Sequence, residues 1–173
     1  TNGKVIGHNT DIEGFKKSIE NINFNLENKR ALILGAGGVV PSIIAGLNDL
    51  NISKITVTNR TKSKAEDLKK LFNKIKIIEW GSISDFDIII NATSVGLNKN
   101  DRLDLNFSNI GKNKLFYDVI YNPSETNFLK VGKKLGNRTE NGKMMFIYQA
   151  QGAFKIWHGI QPKIDTEVIK ILD

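Results

Sequence analysis

The chain has 173 residues, 40% hydrophobic and 25% charged, with a formal charge of +7 and a pI of about 9.5; that length suits one well-buried domain with short appendages, and no apolar run approaches the roughly 20 residues of a membrane span. The absence of cysteine excludes disulfides, thiolate metal sites and cysteine nucleophiles, no metal site is expected, and with no secretory leader pattern after Thr1 the expected compartment is a reducing cytoplasm. The lysines behind the positive balance are scattered, as at Lys62, Lys64, Lys69 and Lys70, with no DNA- or RNA-binding motif, which points to a solvated surface beside an anionic cofactor rather than to nucleic acid.

In chain order, Ile12, Phe15, Ile19 and Ile22 recur at helical spacing. Asn9 or Thr10 is placed to cap this helix, and Asp11 falls in its first turn, where the helix dipole favours a carboxylate. On that local pattern alone Asp11 is an ordinary helix charge. A polar connection, Asn25 to Lys29, leads into Ala31 to Leu34, a short apolar run that reads as a buried parallel strand. The run breaks into Gly35-Ala36-Gly37-Gly38, and a helix carrying Val39, Ile43, Ile44 and Leu47 follows, to about Leu50.

Glycines between a strand and a helix suit a dinucleotide pyrophosphate: backbone can approach it closely, and free N–H groups of the first helical turn carry partial positive charge. The alternative is a tight turn with no ligand. In the G-x-G-x-x-G pattern the third glycine would fall at Val40, so the helix is expected to stand slightly further off the strand or the turn to differ. Pro41 is tolerated in the first turn, where its missing N–H has no helical acceptor.

Lys54 to Thr58 is predicted as a second strand, completing a right-handed βαβ unit. A fold that prefers NAD usually ends this strand in an acidic residue that binds the ribose 2′-hydroxyl. Here Asn59-Arg60-Thr61 follows, with Lys62 and Lys64 close behind. Nothing in that stretch repels a 2′-phosphate, and Arg60 can meet one through its planar fork and stack on adenine. NADP is therefore the expected cofactor; the alternative is that Arg60 is an ordinary surface arginine.

Thr61 to about Lys74 is predicted as a helix with Ala65, Leu68, Leu71 and Phe72 inward. Strands are predicted at Ile75 to Trp80, Phe86 to Ile90, Leu115 to Ile120 and Arg138-Thr139. Asn91 to Gly96 puts small polar residues at the carboxyl edge of the sheet, where open α/β folds bind ligands, although turn chemistry would also explain them. Ser124 is placed to cap a helix with Phe128, Leu129, Val131 and Leu135 inward, ended by Gly136. After the Asn141-Gly142 turn, Met144 to His158 is apolar almost all round and is expected to be covered on several sides, with Gln149 and Gln151 as polar exceptions. Pro162 is expected to end it, before a short helix from Asp165 to Leu172.

Six ordered motifs resemble the shikimate dehydrogenase family from about Gly3 to Pro162: Gly7-His8-Asn9-Thr10-Asp11, Gly35-Ala36-Gly37-Gly38, Asn59-Arg60-Thr61, Asn91 to Gly96, Asp118 to Thr126 and Gly142 to Gln149. With the strand-helix alternation, the expected fold is a Rossmann-type doubly wound parallel sheet of strand order 3-2-1-4-5-6 in three α/β/α layers. The expected division is a crossover segment and helix over 1–24 and an NADP-binding domain over 25–173, whose last helices return toward a substrate domain.

The resemblance implies reversible, NADPH-dependent reduction of 3-dehydroshikimate to shikimate in aromatic amino-acid biosynthesis. Asp11 matches the catalytic carboxylate, which pairs with a lysine; hydride arriving at a carbonyl carbon leaves an alkoxide that needs a positioned acid. Gln149 matches a glutamine bonded to substrate hydroxyls, and Tyr121 a tyrosine lining the substrate end. The implied cofactor residues are Gly35, Ala36, Gly37, Gly38, Val39, Asn59, Arg60, Thr61, Lys64, Ala92, Thr93, Ser94, Val119, Gly142 and Met145, with Gly142 and Met145 bordering nicotinamide. Val39-Val40-Pro41 and Gln151 depart from the alanines common in relatives at these positions.

The family's N-terminal domain supplies the lysine, a serine pair for the substrate carboxylate and an asparagine, and no segment here resembles those parts. The chain is therefore expected to be the cofactor half of a longer enzyme, inactive alone. Alternatives are a non-catalytic NADP-binding module and a quinate-preferring or NAD-using relative, and both monomer and homodimer remain open.

Overall fold

A computed structural model of the chain describes residues 3–172. Six parallel strands form one sheet in the order β3-β2-β1-β4-β5-β6, with β1 Arg30–Leu34, β2 Lys54–Thr58, β3 Lys76–Ile78, β4 Ile88–Asn91, β5 Leu115–Asp118 and β6 Arg138–Glu140. This is the doubly wound order read from the sequence. The helices are α1 Asp11–Asn21, α2 Val40–Asp49, α3 Lys62–Leu71, α4 Asn127–Lys134, α5 Lys143–His158 and α6 Thr166–Lys170. No helix among the described residues is long and apolar enough to cross a membrane.

The central strands are buried on both faces, and because side chains alternate along a strand each one feeds two cores. Ala31 and Ile33 of β1, Ile88 and Ile90 of β4, and Leu115 and Tyr117 of β5 join α1, α2, α3 and Met145 of α5 in the larger core. Leu32, Leu34, Ile89 and Phe116 face the other way, against Phe86, Phe107 and the α4 residues Phe128 and Leu129. On this second face the cover is one helix, α4, together with the irregular 99–114 segment that carries Phe107.

α1 and α5 cross at very short range. A Cβ on Gly14 would lie 2.7 Å from the Met145 carbonyl oxygen and 2.9 Å from Cβ of Gln149, so glycine sets this approach by having no side chain. On its other side α1 packs on α2, where Phe15 lies against Gly46. A buried hydrogen bond of 2.8 Å joins the hydroxyls of Ser18 and Tyr117 and ties α1 to the centre of the sheet.

Several local expectations are corrected. Leu71 is 73% exposed because α3 stops at it, and Phe72 turns toward the core in its place. Thr126, not Ser124, caps α4, accepting from the Leu129 N–H. Gly159, left-handed at φ 70°, ends α5 before Pro162 is reached. The apolar α5 is not covered on several sides: only Met144, Met145 and Ile147 are buried, and Trp157 is 76% exposed. Its first half lies under α1, and along its later turns the 162–172 segment that carries α6 shares a cleft with Ala150, Gln151 and Phe154, with Gln151 Nε2 donating to the Pro162 carbonyl at 2.7 Å. β3 is also shorter than predicted, which leaves Trp80 in the turn after it.

At the amino edge of the sheet, Arg30 opens β1 and binds Asp87 ahead of β4. Its backbone N–H and Nε donate to Asp87 Oδ2 at 2.9 and 3.0 Å, and its guanidinium also meets Asp85. The guanidinium holds the Asp87 carboxyl below the usual carboxylate range. Because that folded value is depressed, the stabilisation is present above the ordinary carboxylate value and is lost as pH falls through the lowered one. Arg30→Ala should therefore unfold at a higher pH in an acid titration followed by circular dichroism, with only a small loss of stability at neutral pH because the pair stays partly in water.

Candidate functional site

The carboxyl ends of β1, β2 and β4 open onto a cavity of about 430 Å³. Gly35, Ala36 and Gly37 line it after β1, Asn59, Arg60, Thr61 and Lys64 after β2, and Ala92, Thr93, Ser94 and Val95 after β4, with Trp80 from the turn beyond β3. Gly35 has φ 112°, and a Cβ there would lie 2.7 Å from the Ala92 carbonyl oxygen. Only glycine lets the two turns close on each other at this point. No acidic residue lines the cavity, and neither Arg60 nor Lys64 forms an ion pair among the described residues. Asn59 Nδ2 donates to the Thr61 carbonyl at 2.7 Å, which shapes the turn that carries Arg60.

Gly38 is exposed and Val39 half-buried at the entry to α2, both outside the cavity lining. Val40, in the place of the third glycine, is fully buried in the larger core, so its bulk is absorbed by packing.

A second group of residues gathers where α5 begins. The Gly142 N–H donates to the Ile120 carbonyl at 3.2 Å, and a Cβ on Gly142 would lie 2.0 Å from the Val119 carbonyl oxygen. The start of α5 thus rests directly on the backbone after β5. Met145 is buried in the larger core, and Val119 is half-buried against it. Tyr121 stacks on Phe146 with ring centroids 4.7 Å apart. Thr10 Oγ1 donates to Gln149 Oε1 at 3.3 Å, joining the start of α1 to α5. Asp11 is half-buried beside it, its N–H donating to Asn9 Oδ1 at 3.0 Å, while Asn9 Nδ2 donates to Ser42 Oγ of α2 at 2.9 Å. Asp11, Gln149 and Tyr121 therefore belong to the elements of this second group, apart from the lining of the cavity.

Between the two groups lies a buried polar network in which Asn91, Asp118 and Thr126 were not assigned a site role from sequence. Asp118, at the end of β5 and fully buried, accepts from Thr126 Oγ1 at 2.6 Å, from the Ile120 N–H at 3.0 Å and from Asn91 Nδ2 at 3.1 Å. Asn91 Nδ2 also donates to the Val95 carbonyl, and Asn91 Oδ1 accepts from Thr93 Oγ1 at 2.7 Å. Burial pushes the Asp118 carboxyl above its ordinary value, against the pull of these donors. The available signal was a polar residue closing each of two wholly apolar strands, which must find partners inside. Trp80 and Val95 were also missed as lining residues.

Residues 17–119 match the protein family described as Shikimate / quinate 5-dehydrogenase. The chain belongs to this family. Shikimate dehydrogenase (NADP(+)) of Pelagibacter ubique is 61% identical over 170 residues, which are 98% of this chain and 64% of that protein. This shikimate/quinate dehydrogenase family chain thus spans less than two thirds of that relative's length. The crystal structure of shikimate dehydrogenase from Aquifex aeolicus superposes with a TM-score of 0.86 at 34% identity, covering 99% of this chain and 63% of that one. 5-ketofructose reductase of a Gluconobacter strain, at 36% identity and a TM-score of 0.84, covers 99% and 65%, so the same fold is found in a protein named for a different substrate.

All the donors around Asp118 point at a group that only accepts, and an amide there would set N–H against N–H or leave a donor unpaired. Asp118→Asn should lower stability by about 1–3 kcal/mol, with Thr126→Ser, which keeps the hydroxyl, costing far less. Urea unfolding of the two variants beside the parent chain measures this.

Proposed function

We propose that this chain is the cofactor-binding portion of an NADP-dependent shikimate dehydrogenase, which reversibly reduces 3-dehydroshikimate to shikimate. The observation that carries the reading is the cavity whose β2 end holds Arg60, Thr61 and Lys64 and no carboxylate, facing the Gly35–Gly37 turn. A dinucleotide phosphorylated on its adenosine ribose fits that arrangement: the glycine turn admits the pyrophosphate, and the unpaired guanidinium meets the 2′-phosphate as a planar fork. Ala92, Thr93 and Ser94 would follow the cofactor across the sheet, and Val119 and Gly142, with Met145 packed beneath, would border its nicotinamide.

NADPH, when bound, supplies hydride to the substrate carbonyl carbon. Asp11 would act with a lysine of the family's N-terminal domain on the proton of the hydroxyl that forms. Gln149 has its carbonyl oxygen engaged by Thr10, which leaves its Nε2 to donate to a substrate hydroxyl, with Tyr121 lining the same end. Residues 1–24 would form the crossover from that N-terminal domain and 25–173 the cofactor domain. Full exposure of Val5 and the open Ile6, Phe154 and Trp157 side chains support a further domain packing along α5.

Calorimetric titration of the chain with NADP and NAD tests the cofactor reading. NADP should bind more tightly, and Arg60→Ala should weaken it roughly 10- to 100-fold, the value of a lost charged hydrogen bond, while NAD changes little. Equal affinity for both nucleotides, or an Arg60→Ala variant that still binds NADP like the parent, would contradict it. In a protein carrying the N-terminal domain, Asp11→Asn should cut kcat by about 10²- to 10⁴-fold with KM nearly unchanged; steady-state rates in both directions decide this.

A further inference from the structure

The chain has two tryptophans, and one of them, Trp80, is half-buried against the nucleotide-sized cavity. Several other rings are taken up by packing: Phe116 lies against Phe86, Phe107 and Phe128, Phe15 meets Tyr117 edge-on, and Tyr121 stacks on Phe146, while Trp157 is exposed on α5 and lines no part of this cavity. Trp80 belongs to neither core, and it makes no ring contact, cation–π contact or side-chain hydrogen bond among the described residues. An indole is a large apolar surface to leave beside water, and nothing in the fold's own packing uses this one.

Its backbone, by contrast, is fixed. Thr58 Oγ1 at the end of β2 donates to the Glu79 carbonyl at 3.0 Å, and the Ser82 N–H donates to the same oxygen at 3.1 Å. The turn that carries Trp80 is thereby pinned to the strand that carries Asn59 and Arg60. Along the cavity, the Gly35–Gly37 turn offers backbone to a pyrophosphate and Arg60 with Lys64 offers charge to a phosphate. A flat heteroaromatic base joined to both would find only Ala36, Ala92 and Val95 as aliphatic surface, and one aromatic face, Trp80.

The geometry points to Trp80 as the residue on which the adenine ring of the dinucleotide stacks. This inference rests on the nucleotide reading above and adds the base-binding element to it. Stacking on an aromatic face is strong and tolerant of base identity, so Trp80 supplies affinity for the adenosine half while Arg60 supplies the choice between a phosphorylated and a free ribose.

The test uses adenosine 2′,5′-bisphosphate, which carries the base and the 2′-phosphate without nicotinamide, together with NADP. In a Trp157→Phe background Trp80 is the sole indole, and its fluorescence should be quenched saturably by adenosine 2′,5′-bisphosphate. Trp80→Ala should weaken binding of both ligands by the same factor, roughly 5- to 100-fold, with Trp80→Phe staying within about threefold of the parent. Unchanged affinity in a folded Trp80→Ala variant overturns the stacking assignment and leaves the cofactor reading standing. Should Trp80→Ala fail to fold, the fluorescence arm decides alone, and bound ligand without quenching overturns the assignment. A parent chain that binds neither ligand overturns both readings.

Discussion

The carboxyl edge of the sheet depends on one buried carboxylate. Asp118 has no exposed surface, yet its partners come from the end of β4, from the backbone after β5 and from the cap of α4. A charge or near-charge so placed is tolerable only when its lone pairs are filled. Meeting that condition holds the Asn91–Val95 turn on one side and the Ile120–Tyr121 turn on the other. The cavity after β4 and the α5 start after β5 thus share one anchor, and the two halves of the site are set relative to each other by it.

The second half of the site depends on short range between helices. Gly14 brings α1 onto α5 at the level of Met145 and Gln149, and this same approach lets Thr10 reach the Gln149 amide. Asp11 follows Thr10 in the chain, so the carboxylate and the glutamine are held on two helices that have one spacing between them. A larger residue at Gly14 would separate the helices and the functional groups together.

Motif order and local spacing made much of this legible. The apolar runs at Ala31–Leu34 and Ile88–Ile90, the glycines after the first and the acid-free Asn59-Arg60-Thr61 after the second strand were enough for the β1 and β2 sides of the cavity, while the sheet order was expected from the strand-helix alternation together with the family resemblance. These features are local: strand burial, a tight turn and a charge at a strand end are written within a few residues. Errors arose where a residue's state depends on what lies across from it. Leu71 reads as inward by spacing but overhangs the end of α3, and α5 reads as covered on several sides, although an apolar pattern states that a surface is hydrophobic without saying what meets it.

By itself the sequence determined the alternation of strands and helices, the glycine turn, the basic end of the second strand and the family to which these motifs point. Only the tertiary structure decided which residues share the cavity, that Val40 is absorbed into the core, that Asn91, Asp118 and Thr126 close on one another, and that Trp80 faces the cavity instead of either core. The physical reason is separation along the chain. Asn91 and Asp118 are 27 residues apart and Thr10 and Gln149 are 139 apart; such pairs meet through the packing of whole elements, which no local window of sequence contains.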